Sequence, residues 1–124
     1  MRREELYLTD IVEAADAIGR FVAGVEYDPF VQDDEKRSAV LHKLTVIGEA
    51  AARLSSDFRQ SHPSIEWSDI VAFRNIAVHA YFAIQWPIVW VTATQEVPEL
   101  RREVAEILAT EYPGILPSGS ADGG

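Results

Sequence analysis

The chain has 124 residues, of which 48% are hydrophobic and 25% charged, with a formal net charge of −9 at pH 7 and no cysteine. That is the size and balance of one soluble globular domain with a single core. Disulfides and thiolate metal sites are excluded, the acidity argues against a surface that coats nucleic acid generically, and no run reaches the roughly 18 apolar residues of a membrane span.

The N-terminus, Met1-Arg2-Arg3-Glu4-Glu5, turns acidic at once and does not read as a signal peptide, so a cytoplasmic protein is expected. From residue 5 to about 25, Leu8, Ile11, Val12, Ala15, Ile18, Phe21, Val22 and Val25 recur at helical spacing. Gly24 and a turn at Tyr27-Asp28-Pro29 are predicted to end this first helix. A second helix is predicted to begin near Asp33-Asp34-Glu35, acids suited to a helix N-terminus. It carries Val40, Leu41, Leu44, Ile47, Ala51, Leu54 and Phe58 before stopping ahead of Ser61-His62-Pro63. Ser64 or a neighbour would cap a third helix over about 66–80.

A fourth helix is predicted from Gln85–Pro87, where a proline is tolerated in the first turn. Its Ile88-Val89-Trp90-Val91 run also suits a strand, but no other segment offers a partner strand. Pro98 must kink or interrupt the helix, which resumes over Glu99–Tyr112 with Leu100, Val104, Ile107 and Leu108 on one face. Residues 113–124, rich in Pro, Gly and Ser, are predicted to be a disordered C-terminal tail. The expected fold is all-α, an antiparallel bundle of four to five helices over residues 1–112.

Charge is distributed unevenly. Residues 1–35 hold ten acids against three bases and residues 82–124 six against two, whereas residues 36–81 hold four acids against six bases. The only segment that is not acidic contains Phe73-Arg74-Asn75-Ile76-Ala77-Val78-His79-Ala80-Tyr81, which Phe82 closes. On a helix advancing about 100° per residue, Asn75 and His79 share one stripe and Arg74 and Tyr81 an adjacent one. Phe73, Ile76, Ala77 and Ala80 fall on the opposite, buried side. Spacing alone leaves two readings open. In one, Arg74, Asn75, His79 and Tyr81 form a chemically active face; in the other, His79 is a satisfied junction histidine, Tyr81 packs, and Arg74 pairs with Glu49, Glu66 or Asp69.

Neighbouring runs bear on that choice. Ile47-Gly48-Glu49-Ala50-Ala51-Ala52-Arg53-Leu54-Ser55 is followed by Pro63-Ser64-Ile65-Glu66-Trp67-Ser68-Asp69-Ile70, then by Phe73-Arg74-Asn75, Val78-His79-Ala80-Tyr81-Phe82 and Ile88-Val89-Trp90. Together they resemble the HepT-like toxins of the HEPN superfamily, most sharply over 47–91. The family signature of Arg, four residues, His, one residue, Tyr is matched by Arg74, His79 and Tyr81. Phe73 and the early Pro87 depart from the usual pattern without removing a signature group. The resemblance implies a small α-helical RNase that is the toxin of a toxin–antitoxin pair. It further implies a homodimer with two motifs facing one cleft, and a minimal nucleotidyltransferase antitoxin able to attach AMP to Tyr81.

The residue types suit that chemistry. Cleaving RNA without a metal takes a base for the 2′-hydroxyl, an acid for the 5′-leaving oxygen and a group to hold charge on phosphate. A histidine in its unperturbed state titrates near neutrality, so His79 can fill either proton-transfer role. Arg74 presents a permanently charged planar fork, and Asn75 can orient the imidazole or the substrate. Glu49 is a candidate to orient Arg74 if the second and third helices pack together. His42 and His62 are expected to face solvent, and Trp67, Trp86 and Trp90 to serve core or interface. No His/Asp/Glu spacing suits a metal and no phosphate-cradling glycine loop is present, so neither a metal nor another cofactor is expected. A second class remains: a non-catalytic helical module that binds a nucleotidyltransferase partner or a nucleotide.

Overall fold

A computed structural model describes residues 3–76, 78 and 85–115. These form an all-α bundle, with no strand among the described residues. Three long helices dominate. α1 (Glu4–Val22) packs against both α3 (Asp34–Arg53) and α7 (Val97–Glu111), and shorter helices fill the corners. No helix among the described residues is long and apolar enough to cross a membrane.

The buried stripe of α1 is the one its periodicity predicts: Leu8, Ile11, Val12, Ala15 and Ile18 point inward, with Ala14 and Ala17 allowing close approach. Ala23 leaves the helical region, and Gly24 at φ 70° turns the chain, a conformation that favours glycine. Tyr27-Asp28-Pro29 is not the predicted turn but the first part of a short helix, α2 (Tyr27–Gln32). Proline is compatible there because amides in a first helical turn have no partner within the helix. Phe30 anchors α2 in the core, its ring 5.0 Å from that of Trp90 and 6.4 Å from that of Trp86.

Asp33 caps α3 by accepting from the Lys36 amide at 3.0 Å, with Asp34 and Glu35 in the first turn. The predicted second helix extends to Phe58, but the chain breaks at Leu54, which is extended, and restarts as α4 (Ser56–Ser61). The reason is local capping. The Ser55 hydroxyl accepts from the Phe58 amide at 3.0 Å and donates to Glu4 at 2.5 Å, and a second Glu4 oxygen takes the Ser55 amide at 3.3 Å. Leu54 and Phe58 remain buried on either side of the break.

At the other end of the bundle, α6 (Trp86–Val91) opens with Pro87 in its first turn and is helical, not extended. The predicted interruption near Pro98 takes the form of a wide turn over Thr92–Glu96, in which the Val97 amide donates to the Thr92 carbonyl five residues back. Proline lacks an N–H and crowds the carbonyl four residues earlier, and one π-type turn accommodates both. α7 then buries Val97, Leu100, Val104 and Leu108, and Arg101 ties it to Asp16 of α1 at 2.9 Å.

His62, expected to face solvent, instead joins α4 to α7. Its ring is 4.3 Å from that of Phe58, its Nδ1 lies 2.9 Å from the Phe58 carbonyl, and its Nε2 lies 2.6 Å from Glu111. Burial lowers its proton affinity, but the hydrogen bonds to Phe58 and Glu111 and the Glu111 charge outweigh this and raise it above the ordinary 6.5. A histidine raised on folding contributes stability that is complete below its unfolded value and is lost as pH rises through the raised one. Melting temperature is therefore expected to fall above about pH 6.5, and to fall less in Glu111→Gln. Thermal melts of both proteins across that range check this; parallel curves would rule the clasp out. His42, by contrast, is exposed as expected.

Candidate active site

The segment carrying the motif enters through α5 (Trp67–Val71). Its N-cap is Glu66, without the side-chain cap expected near Ser64. Trp67 is buried, and its indole N–H donates to the His62 carbonyl at 2.9 Å, which makes it a core residue. Ala72 marks a turn, after which residues 73–76 are again helical. The Ala72 carbonyl accepts from both Asn75 at 2.8 Å and Ile76 at 3.0 Å, and the predicted single helix is interrupted at this residue.

Where the motif residues are described, they divide as the helical spacing predicts. Phe73 is buried at 1% exposure and Ile76 packs against the core, while Asn75 is exposed and Arg74 half-buried on the outer side. Ala77 and residues 79–84 lie outside the described residues, so the expected placements of His79 and Tyr81 on the shared stripes lie there too. The expected tail beyond residue 115 is likewise outside them.

Arg74 meets α3. Its Nη1 is 3.4 Å from Glu49 Oε2, which picks Glu49 from the three acids considered as its partner. The two side chains are 39% and 49% exposed, so the pair adds at most about 1 kcal/mol to stability. Its consequence is local: one edge of the guanidinium is drawn toward α3, and its other donors are left for a ligand. The approach is close because α3 has Gly48 where α5 and the Arg74 turn cross it. Gly48 was not singled out by the motif spacing. The signal available was a glycine in mid-helix, a position that needs a packing reason.

Beside this turn, Ala72, Asn75, Ile76, Gln85 and Ile88 line an open cavity of about 360 Å³. Val78, Ile88 and Val91 are large apolar side chains left exposed in the same part of the chain. On the other flank of Glu49, a smaller cavity of about 200 Å³ between α1 and α3 is lined by Tyr7, Asp10, Thr45 and Arg53 among others. Among the described residues, no group of three or more His, Asp or Glu is arranged to hold a metal ion.

An all-α bundle in which Arg74 pairs with Glu49 and the next residue, Asn75, lines an open cavity, with the His79/Tyr81 sequence following, fits a helical protein of the HEPN type. Over residues 11–107 the chain matches the family model described as Ribonuclease HepT-like, and it belongs to that family. It is 34% identical over 103 residues to a candidate RNase of Methanocaldococcus jannaschii, covering 83% of this chain and 94% of the relative. A candidate RNase of Caldanaerobacter subterraneus is 33% identical over 111 residues, covering 90% and 99%. The probable ribonuclease HepT of Thermococcus cleftensis is 33% identical over 100 residues, covering 81% and 91%. No solved structure gives a significant match.

Proposed function

We propose that the chain is an endoribonuclease that cleaves RNA without a metal, the toxin of a HEPN/nucleotidyltransferase toxin–antitoxin pair acting in the cytoplasm. The observation that carries this reading is Arg74, held by Glu49 with Asn75 exposed beside it, in a chain whose family and relatives are named as ribonucleases. The 2′-oxygen attacks phosphorus and the 5′-oxygen leaves. His79 takes the 2′-proton, and an acid returns one to the leaving oxygen. Arg74 holds the charge that builds on the phosphoryl oxygens, and Asn75 orients the imidazole or the substrate.

A single chain supplies one motif histidine, whereas the reaction uses a base and an acid. A homodimer with two motifs across one cleft supplies both. Exposed Val78, Ile88 and Val91, close to the motif in sequence, support such self-association, since large apolar side chains left in water favour a partner. Tyr81 is the proposed site of AMP attachment by the antitoxin. The added phosphate competes with RNA for Arg74, and its bulk closes the cleft.

The experiment is expression of the chain with and without a minimal nucleotidyltransferase of the antitoxin type. Alone, wild type should arrest growth and a folded His79→Ala protein should not. With the partner, mass additions in multiples of AMP should appear on the Tyr81 peptide and vanish in Tyr81→Phe. A folded His79→Ala protein that is equally toxic rules out the catalytic assignment, and additions that persist in Tyr81→Phe rule out the modification site.

A further inference from the structure

Gly48 lies inside α3, where glycine weakens a helix relative to alanine, and its backbone is not in the left-handed region that favours glycine. Space explains it. A Cβ at Gly48 would fall 2.7 Å from Arg74 Cγ, 2.8 Å from Arg74 N and 2.9 Å from the Val71 carbonyl oxygen. All three distances are shorter than real Cβ contacts, and two involve backbone that cannot swing aside as a side chain can. The other glycine within a long helix, Gly19 of α1, shows the contrast: a Cβ there meets nothing within 4 Å.

We propose that Gly48 is a positioning residue for Arg74, and that Gly48 and Glu49 together form the mould in which the arginine is set. Gly48 fixes how near the Arg74 backbone comes to α3, and Glu49, the next residue, holds the guanidinium once it is there. The proposal rests on the reading of Arg74 as the phosphate-binding group of a ribonuclease. It adds that the placement of this cation is decided on a different helix, by the absence of a side chain. Any substituent at Gly48 must push residues 71–74 away from α3 and carry Arg74 with them.

In the full-length protein, Gly48→Ala is expected to lower kcat for an RNA oligonucleotide by about 10–100-fold, because displacing a catalytic group by about 1 Å has effects of that order. Gly19→Ala should leave kcat unchanged. The deciding comparison is the double variant. In an Arg74→Ala background, Gly48→Ala should cost less than about threefold more, since the group it positions is gone. Losses that multiply instead assign Gly48 a merely structural role and overturn the proposal.

Two further measurements do not depend on turnover. In wild type, an NOE between Gly48 Hα and the Arg74 amide proton is expected, and its absence overturns the close approach even if Gly48→Ala does not fold. If wild type cleaves no RNA, it is the ribonuclease reading that fails. The positioning claim is then decided by a crystal structure of Gly48→Ala, where an Arg74 Cα shifted by about 1 Å supports it and an unmoved one overturns it.

Discussion

Arg74→Ala is expected to slow RNA cleavage by about 10²–10³-fold while leaving the bundle folded. The size follows from what a fixed cation does at a phosphoryl centre: charge grows on the non-bridging oxygens during the reaction, and a donor already aimed at them needs no reorganisation to meet it. Stability should change little. Arg74 is half-buried, and its one described ion pair, to Glu49, joins two side chains that are both well over a third exposed. Arg74→Lys keeps the charge but loses the planar fork, so it should recover only part of the rate. Initial rates on a defined RNA, together with thermal melts, check this. An Arg74→Ala protein that melts like wild type and cleaves at the wild-type rate would remove Arg74 from the chemistry.

Phe30→Ala is expected to destabilise the fold by about 3–5 kcal/mol, a large part of the roughly 5–15 kcal/mol that holds a domain together. Phe30 is fully buried and is the only buried side chain of α2. Its ring lies against Trp90 and Trp86 of α6, the helix that follows the motif segment. Arg37 also covers Trp86, with its guanidinium carbon 4.8 Å from the ring centre, and donates to the Val31 carbonyl at 2.9 Å. Removing Phe30 leaves a cavity beneath both tryptophans, so urea unfolding followed by tryptophan fluorescence reports the loss directly. A variant within about 1 kcal/mol of wild type would mean the corner repacks around the gap.

The long helices were legible because their information is local. Leu8, Ile11, Val12, Ala15 and Ile18 recur at the helical period, and Asp33-Asp34-Glu35 announces the start of α3 ahead of its first buried residue, Val40. The ends at Gly24 and Pro98 were legible too, but the break at Leu54, the helix at Tyr27 and the place of His62 were not, because each is decided by a partner distant in sequence or by competition between two local preferences. Ser55 ends α3 with help from Glu4, 51 positions away. Pro29 was read as a turn because the same residue also suits a first helical turn, and only the burial of Phe30 decides between them. His62 looked like a surface residue since nothing nearby in sequence announces Glu111, its partner from 49 positions away.

The candidate site divides along the same line. Phe73 inward and Arg74 and Asn75 outward follow from helical spacing. The choice of Glu49 over Glu66 or Asp69 as the partner of Arg74 depends on how α3 crosses the turn at Ala72. That crossing depends in turn on Gly48, whose role is visible only when the two segments are placed together. The family resemblance reached further than periodicity here. It named Arg74, His79 and Tyr81 as a unit, and the match to the HepT-like family model spans all three positions.

The most direct test of the account is cleavage of a defined single-stranded RNA by purified chain in excess chelator, wild type beside a folded His79→Ala variant. The account predicts cleavage by wild type that persists in the chelator, with products ending in a 2′,3′-cyclic phosphate, and a loss of at least about 10²-fold in His79→Ala. RNA left intact by wild type, or cut equally well by His79→Ala, would contradict it.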